Sequence, residues 1–174
     1  MAALAAVAEL YLHQEVFAVA FLASIAAANS DTVATEVGLL SGSKPRAITD
    51  LRRVVEPGTS GGVSLLGELA AIGSSIGIAT LGLLLHTIPS NSLIAAFISV
   101  VVGALFGTNF DSLLGGTVQG VRRCQICGAQ TESRNHHNEP TKLDRGSRFV
   151  DNNVVNFVAI LAGTSVAMLA FAAL

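Results

Sequence analysis

Residues 16–40 read VFAVAFLASIAAANSDTVATEVGLL. Up to Ala28 the stretch is apolar apart from Ser24, and then Asn29, Asp31 and Glu36 arrive in quick succession. A helix needs roughly 20 apolar residues to cross a hydrocarbon layer ~30 Å thick. These polar residues therefore fall inside the span rather than beside it. Intramembrane carboxylates are costly and mark a function.

The rest of the chain supports a membrane setting. Its 174 residues are 51% hydrophobic and 13% charged, with mean hydropathy +0.62. A soluble domain carries about 25% charged residues, so the supply here is half the usual. Trp is absent, so there is no Trp-anchored interface belt. A formal net charge of −2 excludes a general polyanion binder, nucleic acid included.

Outward from the opening stretch, four segments are long and apolar enough to span: 16–40, 61–85, 92–118 and 153–174. All are rich in Gly, Ala and Ser, which lets helix backbones approach closely. The start, MAALAAVAELYLHQE, has no basic flank of the kind a secretory signal carries and is too short to cross. It reads as a helical stub or the second half of a longer hairpin. The expected fold is all-α: one polytopic transmembrane bundle of about four spanning helices plus a short N-terminal helix, with loops at 41–60 and 119–152.

Charge then sets the topology. All ten basic residues lie in those two loops: Lys44, Arg46, Arg52 and Arg53 in the first, Arg122, Arg123, Arg134, Lys142, Arg145 and Arg148 in the second. The intervening HTIPSN, 86–91, has none. Alternating spans put both basic loops on one side, which the positive-inside rule makes cytoplasmic. Asp31, Glu36, Glu68, Asp111 and Asp151 then fall at one depth near that side, as a pocket open to the cytoplasm would require.

Helical periodicity, 100° per residue, refines the pocket. Gly107, Thr108, Asp111, Ser112, Gly115 and Gln119 share one face of the third span. Asn152, Asn156 and Gly163 form a stripe on the fourth, and Ser64, Glu68, Ala71 and Ser75 another on the second. Asn29, Thr32 and Glu36 align on the first, whereas Asp31 and Thr35 point to a neighbouring face. Either this helix touches two neighbours or it is locally unwound.

EPGTSGG, 56–62, precedes the second span. Pro57 and Gly58 force a turn, Thr59 or Ser60 can cap the helix, and Gly61 and Gly62 leave backbone N–H groups clear. Such a helix start binds anions, with Lys44, Arg52 and Arg53 near by; an ordinary capped start is the plain alternative. It is not a Walker loop, since no Lys follows the glycines. Acids beside it suit Mg²⁺, which takes one or two carboxylates and completes its shell with phosphate oxygens and water.

Five blocks in order, NSDTVATEVG, SKPRAIT, EPGTSGGVSLLG, GTNFDSLLGGTVQG and VDNNVVNF, resemble the signature of the phytyl-phosphate kinase family, known also through its human transmembrane-protein-nineteen branch. The likeness runs from about residue 16 to the C-terminus. It implies a membrane enzyme that moves a phosphoryl group from a nucleoside triphosphate, typically CTP, to a prenyl monophosphate, giving the diphosphate. By motif match the positions carried over are Asn29, Asp31, Glu36, Lys44, Pro57, Gly58, Thr59, Ser60, Gly61, Gly62, Asp111, Ser112, Asn152, Asn153 and Asn156.

Their roles are a physical reading. Asp31 and Asp111 are the expected Mg²⁺ ligands, Asp31, Glu36, Asp111 and Lys44 the catalytic set, and the others hold nucleotide and phosphate. Members of the family usually have further apolar helices before the first block, where this chain has only the stub. Its last block reads DNN where an acid is expected at the third position, which leaves Asn153 able to donate to phosphate but a poorer metal ligand.

Two readings compete with the kinase. A lipid-phosphate cytidylyltransferase needs the same metal and nucleotide features, and a transporter also places polar residues in membrane helices. Separately, Cys124 and Cys127 form CxxC, followed by His136 and His137. That set suits zinc, but adjacent histidines depart from the usual spacing, and a reduced pair in a solvated loop is the simpler expectation, with 132–148 read as a solvated connection. Gly77, Gly82 and Gly103 read as packing positions. Glu68 reads equally as a ligand or base and as an acid bonded to a neighbouring helix. Asp50 and Glu56 read as balancing the charge of Arg52 and Arg53.

Overall fold

A computed structural model describes residues 1–87, 92–131 and 133–174. Helix α1 (Ala2–Leu12) leads into α2 (Glu15–Leu39), which is followed by α3 (Leu65–Leu84), α4 (Leu93–Thr117) and α5 (Asn152–Ala173). Apart from α1, all four are long and apolar enough to cross a membrane. At 1.5 Å per residue they run about 30–38 Å, against a hydrocarbon layer of ~30 Å. Ile88, Pro89, Ser90 and Asn91 of the HTIPSN connection, and Glu132, lie outside the described residues.

The bundle is small inside and large outside. On α4 the buried residues are Ala96, Ser99, Val100, Gly103, Ala104, Gly107, Thr108 and Gly115, while Ile94, Ile98, Val102 and Phe106 are exposed. Likewise α3 turns Leu69, Ile72, Ile76 and Leu81 outward and buries Ala71, Ser75 and Ala79. In water this arrangement would be unstable. In lipid, bulky apolar side chains meet acyl chains and small ones let backbones meet. A Cβ on Gly103 would lie 2.5 Å from Gly163 O, so α4 and α5 touch through backbone there. Gly82 packs under Leu22, but no described atom lies within 4 Å of where a Gly77 Cβ would be. Gly77 is therefore not a packing position within the described chain.

Helix α2 is central: it packs on α1, α3, α4 and α5. It is helical without interruption through Asn29–Glu36. Its polar residues point two ways because it has neighbours on several sides, which decides between the alternatives left by the sequence.

Both loops at the basic end carry short strands that the sequence did not announce. In the first, β1 (Arg46–Ala47), β2 (Asp50–Val54) and β3 (Gly62–Val63) make an antiparallel sheet ordered β2-β1-β3. In the second, β4 (Val121–Arg123), β5 (Gln130–Thr131) and β8 (Lys142–Arg145) make another, ordered β5-β4-β8, and β6 (Asn135–His136) pairs with β7 (Glu139–Pro140). The described part of 132–148 is mostly exposed, as expected of a solvated connection, but carries strands. Arg123 and Asp144 form an ion pair at 3.0 Å across β4 and β8. That guanidinium holds the Asp144 carboxyl below its ordinary value. In the first loop Asp50 accepts from the Arg52 N–H at 3.1 Å, while Glu56 pairs with Lys44 rather than with Arg52 or Arg53.

Helix α3 starts at Leu65, not Gly61, and this corrects the expected cap. Gly61 has φ +79, and 62–63 are extended to pair with β1. The cap is Ser64, whose Oγ accepts from the Gly67 N–H at 3.1 Å, not Thr59 or Ser60. At α5 Asp151 does the same for the Val154 N–H at 3.0 Å. Asp151 is a helix cap here rather than a member of the acid cluster.

Candidate phosphate and divalent-ion site

Four helix ends meet at the basic end of the bundle: the C-terminal turns of α2 and α4 and the N-terminal turns of α3 and α5. Between them lies a cavity of about 340 Å³. From α2 it is lined by Asp31, Thr32, Thr35 and Glu36, from α3 by Gly67 and Glu68, from α4 by Thr108, Asp111, Ser112 and Gly115, and from α5 by Asn152 and Asn156. Residues 57–62 close one wall. Counting 1.5 Å per residue from the helix ends, the carboxylates sit about 5–12 Å inside. A smaller cavity, about 100 Å³, shares Asp31, Thr32, Asp111 and Asn156 and runs on among Ala27, Ala28, Gly107 and Ala159.

Residues 56–62 form two consecutive turns. The Thr59 N–H donates to Glu56 O at 3.1 Å and the Gly62 N–H to Thr59 O at 2.9 Å. Each turn has glycine third, Gly58 at φ +81 and Gly61 at φ +79, the left-handed position that type II turns require. Gly62 is therefore not a clear donor, as the sequence reading had it: its N–H closes the second turn. Gly61 is pressed on α4, where an added Cβ would meet Gly116 N at 2.6 Å and Ser112 O at 2.9 Å. This contact holds the turn against the face of α4 that bears Asp111 and Ser112.

The acids are tied to neighbours. With its nitrogen toward the carboxylate, the Asn156 amide donates to Asp111 Oδ2 at 2.8 Å and to Asn152 O at 3.2 Å. The Asn109 amide donates to Glu68 Oε2 at 3.3 Å. Glu68 lines the cavity and is bonded to the next helix, as the second of its two sequence readings expects.

Of the sequence-derived residues, Asp31, Glu36, Pro57, Gly58, Thr59, Ser60, Gly61, Gly62, Asp111, Ser112, Asn152 and Asn156 line one cavity. Asn29, Lys44 and Asn153 do not. The Asn29 amide donates to Ser74 Oγ at 2.6 Å, joining α2 to α3. Lys44 Nζ is 2.7 Å from Glu56 Oε1, with its side chain 60% exposed. Asn153 is exposed at the start of α5. Among the described lining residues there are four carboxylates and no Lys, Arg or His. The basic side chains of the first loop thus do not line the cavity.

Arg145, 85 residues beyond Ser60, escaped the sequence reading. Its guanidinium donates to Gly116 O at 2.6 Å, Ser60 O at 2.9 Å and Gly115 O at 3.2 Å. It clamps the glycine turn to the end of α4 from behind. No local signal separates this arginine from the other five in its loop.

In the same loop, Cys124 is buried and Cys127 exposed, and both are unbridged. The Cys127 N–H and the His136 ring hydrogen-bond the Cys124 sulfur and lower its thiol to about 7.

The model of the family described as integral membrane protein DUF92 matches residues 1–164. The chain belongs to that family. It is 34% identical over 143 residues to Protein PGR of Arabidopsis thaliana, covering 78% of this chain and 48% of PGR. It is 38% identical over 97 residues to the uncharacterized membrane protein MJ0933 of Methanocaldococcus jannaschii, covering 56% of this chain and 38% of that one. To the uncharacterized membrane protein sll0875 of Synechocystis it is 34% identical over 102 residues, covering 59% and 38%. The chain therefore spans about half or less of these relatives' lengths. No solved structure matches it. As a member of this family with four candidate spans, it is a multi-pass integral membrane protein.

Proposed function

We propose that this chain forms the phosphate-handling core of a membrane kinase that moves the terminal phosphoryl group of a nucleoside triphosphate, CTP by family likeness, to a phytyl- or geranylgeranyl-type monophosphate. The carrying observation is one cavity in which carboxylates from α2, α3 and α4 face the double glycine turn. The reaction itself comes from the five sequence blocks. Both basic loops flank the cavity, and the positive-inside bias supports assigning that end to the cytoplasm.

The donor set fits Mg²⁺. Hard oxygen ligands stand on separate helices, with hydroxyl and amide groups around them and an opening to solvent. Asp31 and Asp111 would hold the ion, and Glu36 and Glu68 stand ready for a second. When bound, a divalent ion neutralises charge on the triphosphate.

The chain's own residues do the positioning. The turn presents Thr59 and Ser60 to phosphate oxygens; the Ser112 hydroxyl and the Asn152 amide offer further donors. Asn156 orients Asp111. The acceptor is already an anionic phosphate oxygen, so no general base is needed. The smaller cavity leads from Asp31 and Asp111 into Ala and Gly, an apolar path suited to the first carbons of a prenyl tail.

The lining charge makes nucleotide binding conditional on metal. One like-charge pair at 4 Å costs about 4 kcal/mol at an effective dielectric near 20, equivalent to about 10³-fold in affinity. Transport fits less well, since such sites lie near mid-bilayer and open to both sides, whereas these acids crowd one end. The test uses membranes containing the chain, labelled CTP or ATP, and phytyl or geranylgeranyl monophosphate. A gain of one phosphate supports the kinase, a gain of CMP supports cytidylyl transfer instead, and no product with any pair rejects both.

A further inference from the structure

We propose that Cys124, Cys127, His136 and His137 bind one structural Zn²⁺, and that this ion holds the second loop in the fold that places Arg145 on the glycine turn. The four potential ligand atoms lie within 4.8 Å of one another, and Cys127 Sγ is 3.6 Å from His136 Nδ1. Zinc bonds of ~2.3 Å to sulfur and ~2.0–2.1 Å to nitrogen set tetrahedral edges of about 3.3–3.8 Å. Closing the set therefore takes only side-chain rotations.

The backbone around each pair is arranged for this role. After β4 the chain folds tightly about Cys124: the Gly128 N–H donates to Cys124 O at 3.0 Å and the Cys124 N–H to Ala129 O at 2.9 Å. The Ile126 N–H donates to Cys124 Sγ at 3.4 Å. An N–H aimed at sulfur stabilises thiolate, the form that binds metal. Gly128, at φ +73, permits the reversal. Opposite, His137 and Asn138 have φ 56 and 62 between the paired residues His136 and Glu139. Two positive φ values mark a type I′ hairpin turn, usually made with glycine. Left-handed backbone at a non-glycine costs about 1–2 kcal/mol. Here that cost brings both imidazoles to the cysteine pair.

A second observation points the same way. Residues 121–145 form two small sheets, yet among those described only Val121, Cys124 and Thr141 are buried. Units of fewer than about 40 residues seldom hold by apolar burial alone and commonly use a metal or disulfide. The two cysteines are not bridged. Zinc supplies what the apolar core lacks. Through β8 it fixes Arg145, and thereby the carbonyls of Ser60, Gly115 and Gly116.

The test is metal content of the purified full chain, read without nucleotide or prenyl phosphate, so failure of the kinase reading leaves it unaffected. Wild type is expected to carry one zinc per chain. Cys127→Ser, at an exposed position, and His136→Gln, at a half-buried one, should each lower this at least about fivefold, because a four-ligand site loses a quarter of its donors. Co²⁺ exchanged into wild type should give thiolate charge-transfer and tetrahedral d–d bands. Chelation should open 121–145 to protease while α2–α5 stay intact. Wild type purified with zinc present yet holding none, and silent with Co²⁺, would overturn the proposal. So would full zinc content in both variants.

Discussion

Gly61→Ala and Gly58→Ala separate conformational strain from the contact that seats the turn. Both glycines are left-handed, at φ +79 and +81, so alanine costs each about 1–2 kcal/mol. Only Gly61 has a wall against it: its Cβ would lie 2.6 Å from Gly116 N and 2.9 Å from Ser112 O, whereas no described atom lies within 4 Å at Gly58. Ordinary contact is about 3.5 Å, so the turn must retreat from α4 by about 1 Å, adding overpacking of about 1–3 kcal/mol. A 1 Å displacement of positioning groups costs about 100-fold in rate. In Mg²⁺·CTP titrations of detergent-purified protein, Gly61→Ala should lose most affinity and melt lower. Gly58→Ala should melt slightly lower and retain binding within about thirtyfold, its 1–2 kcal/mol of strain setting the limit. Equal behaviour of the two variants, or wild-type affinity in Gly61→Ala, would refute the turn's seating on α4.

Arg145→Met removes three donors to backbone carbonyls; charged hydrogen bonds contribute about 1.5–3 kcal/mol each, so Mg²⁺·CTP affinity should fall at least about tenfold by the same titration. Arg145→Lys should recover little of it, since one ammonium cannot reproduce the guanidinium fork. Lys44→Ala should change affinity less than about twofold, because its exposed pair with Glu56 contributes little. A large loss there would return Lys44 to the phosphate site.

The spans were legible because membrane helices are written in composition. So was the polar face of α4: Thr108, Asp111, Ser112 and Gly115 recur at helical spacing and line the cavity, joined there by Gln119 from just past the helix end. The strands were not legible, since two to five residues are too few for alternation to show against the loop background. Ser64 was missed as the α3 cap because nothing local says that 62–63 will pair with 46–47. Lys44 was drawn to the phosphates by its sign, but its partner, Glu56, is twelve residues on, across a hairpin whose existence decides the pairing. Arg145 depends on tertiary proximity alone.

The proposed kinase requires Asp31 and Asp111, on different helices, to serve one divalent-dependent nucleotide site. A double-mutant cycle on CTP affinity, with Mg²⁺ and with chelator, measures that requirement. Asp31→Asn and Asp111→Asn should each weaken Mg²⁺-dependent binding about 100-fold, and the double variant should lose little more, because residues sharing one ion are strongly coupled. Chelator should bring all four proteins to the same weak level. Additive losses, or wild-type binding in either single variant, would show that the two carboxylates share no ion.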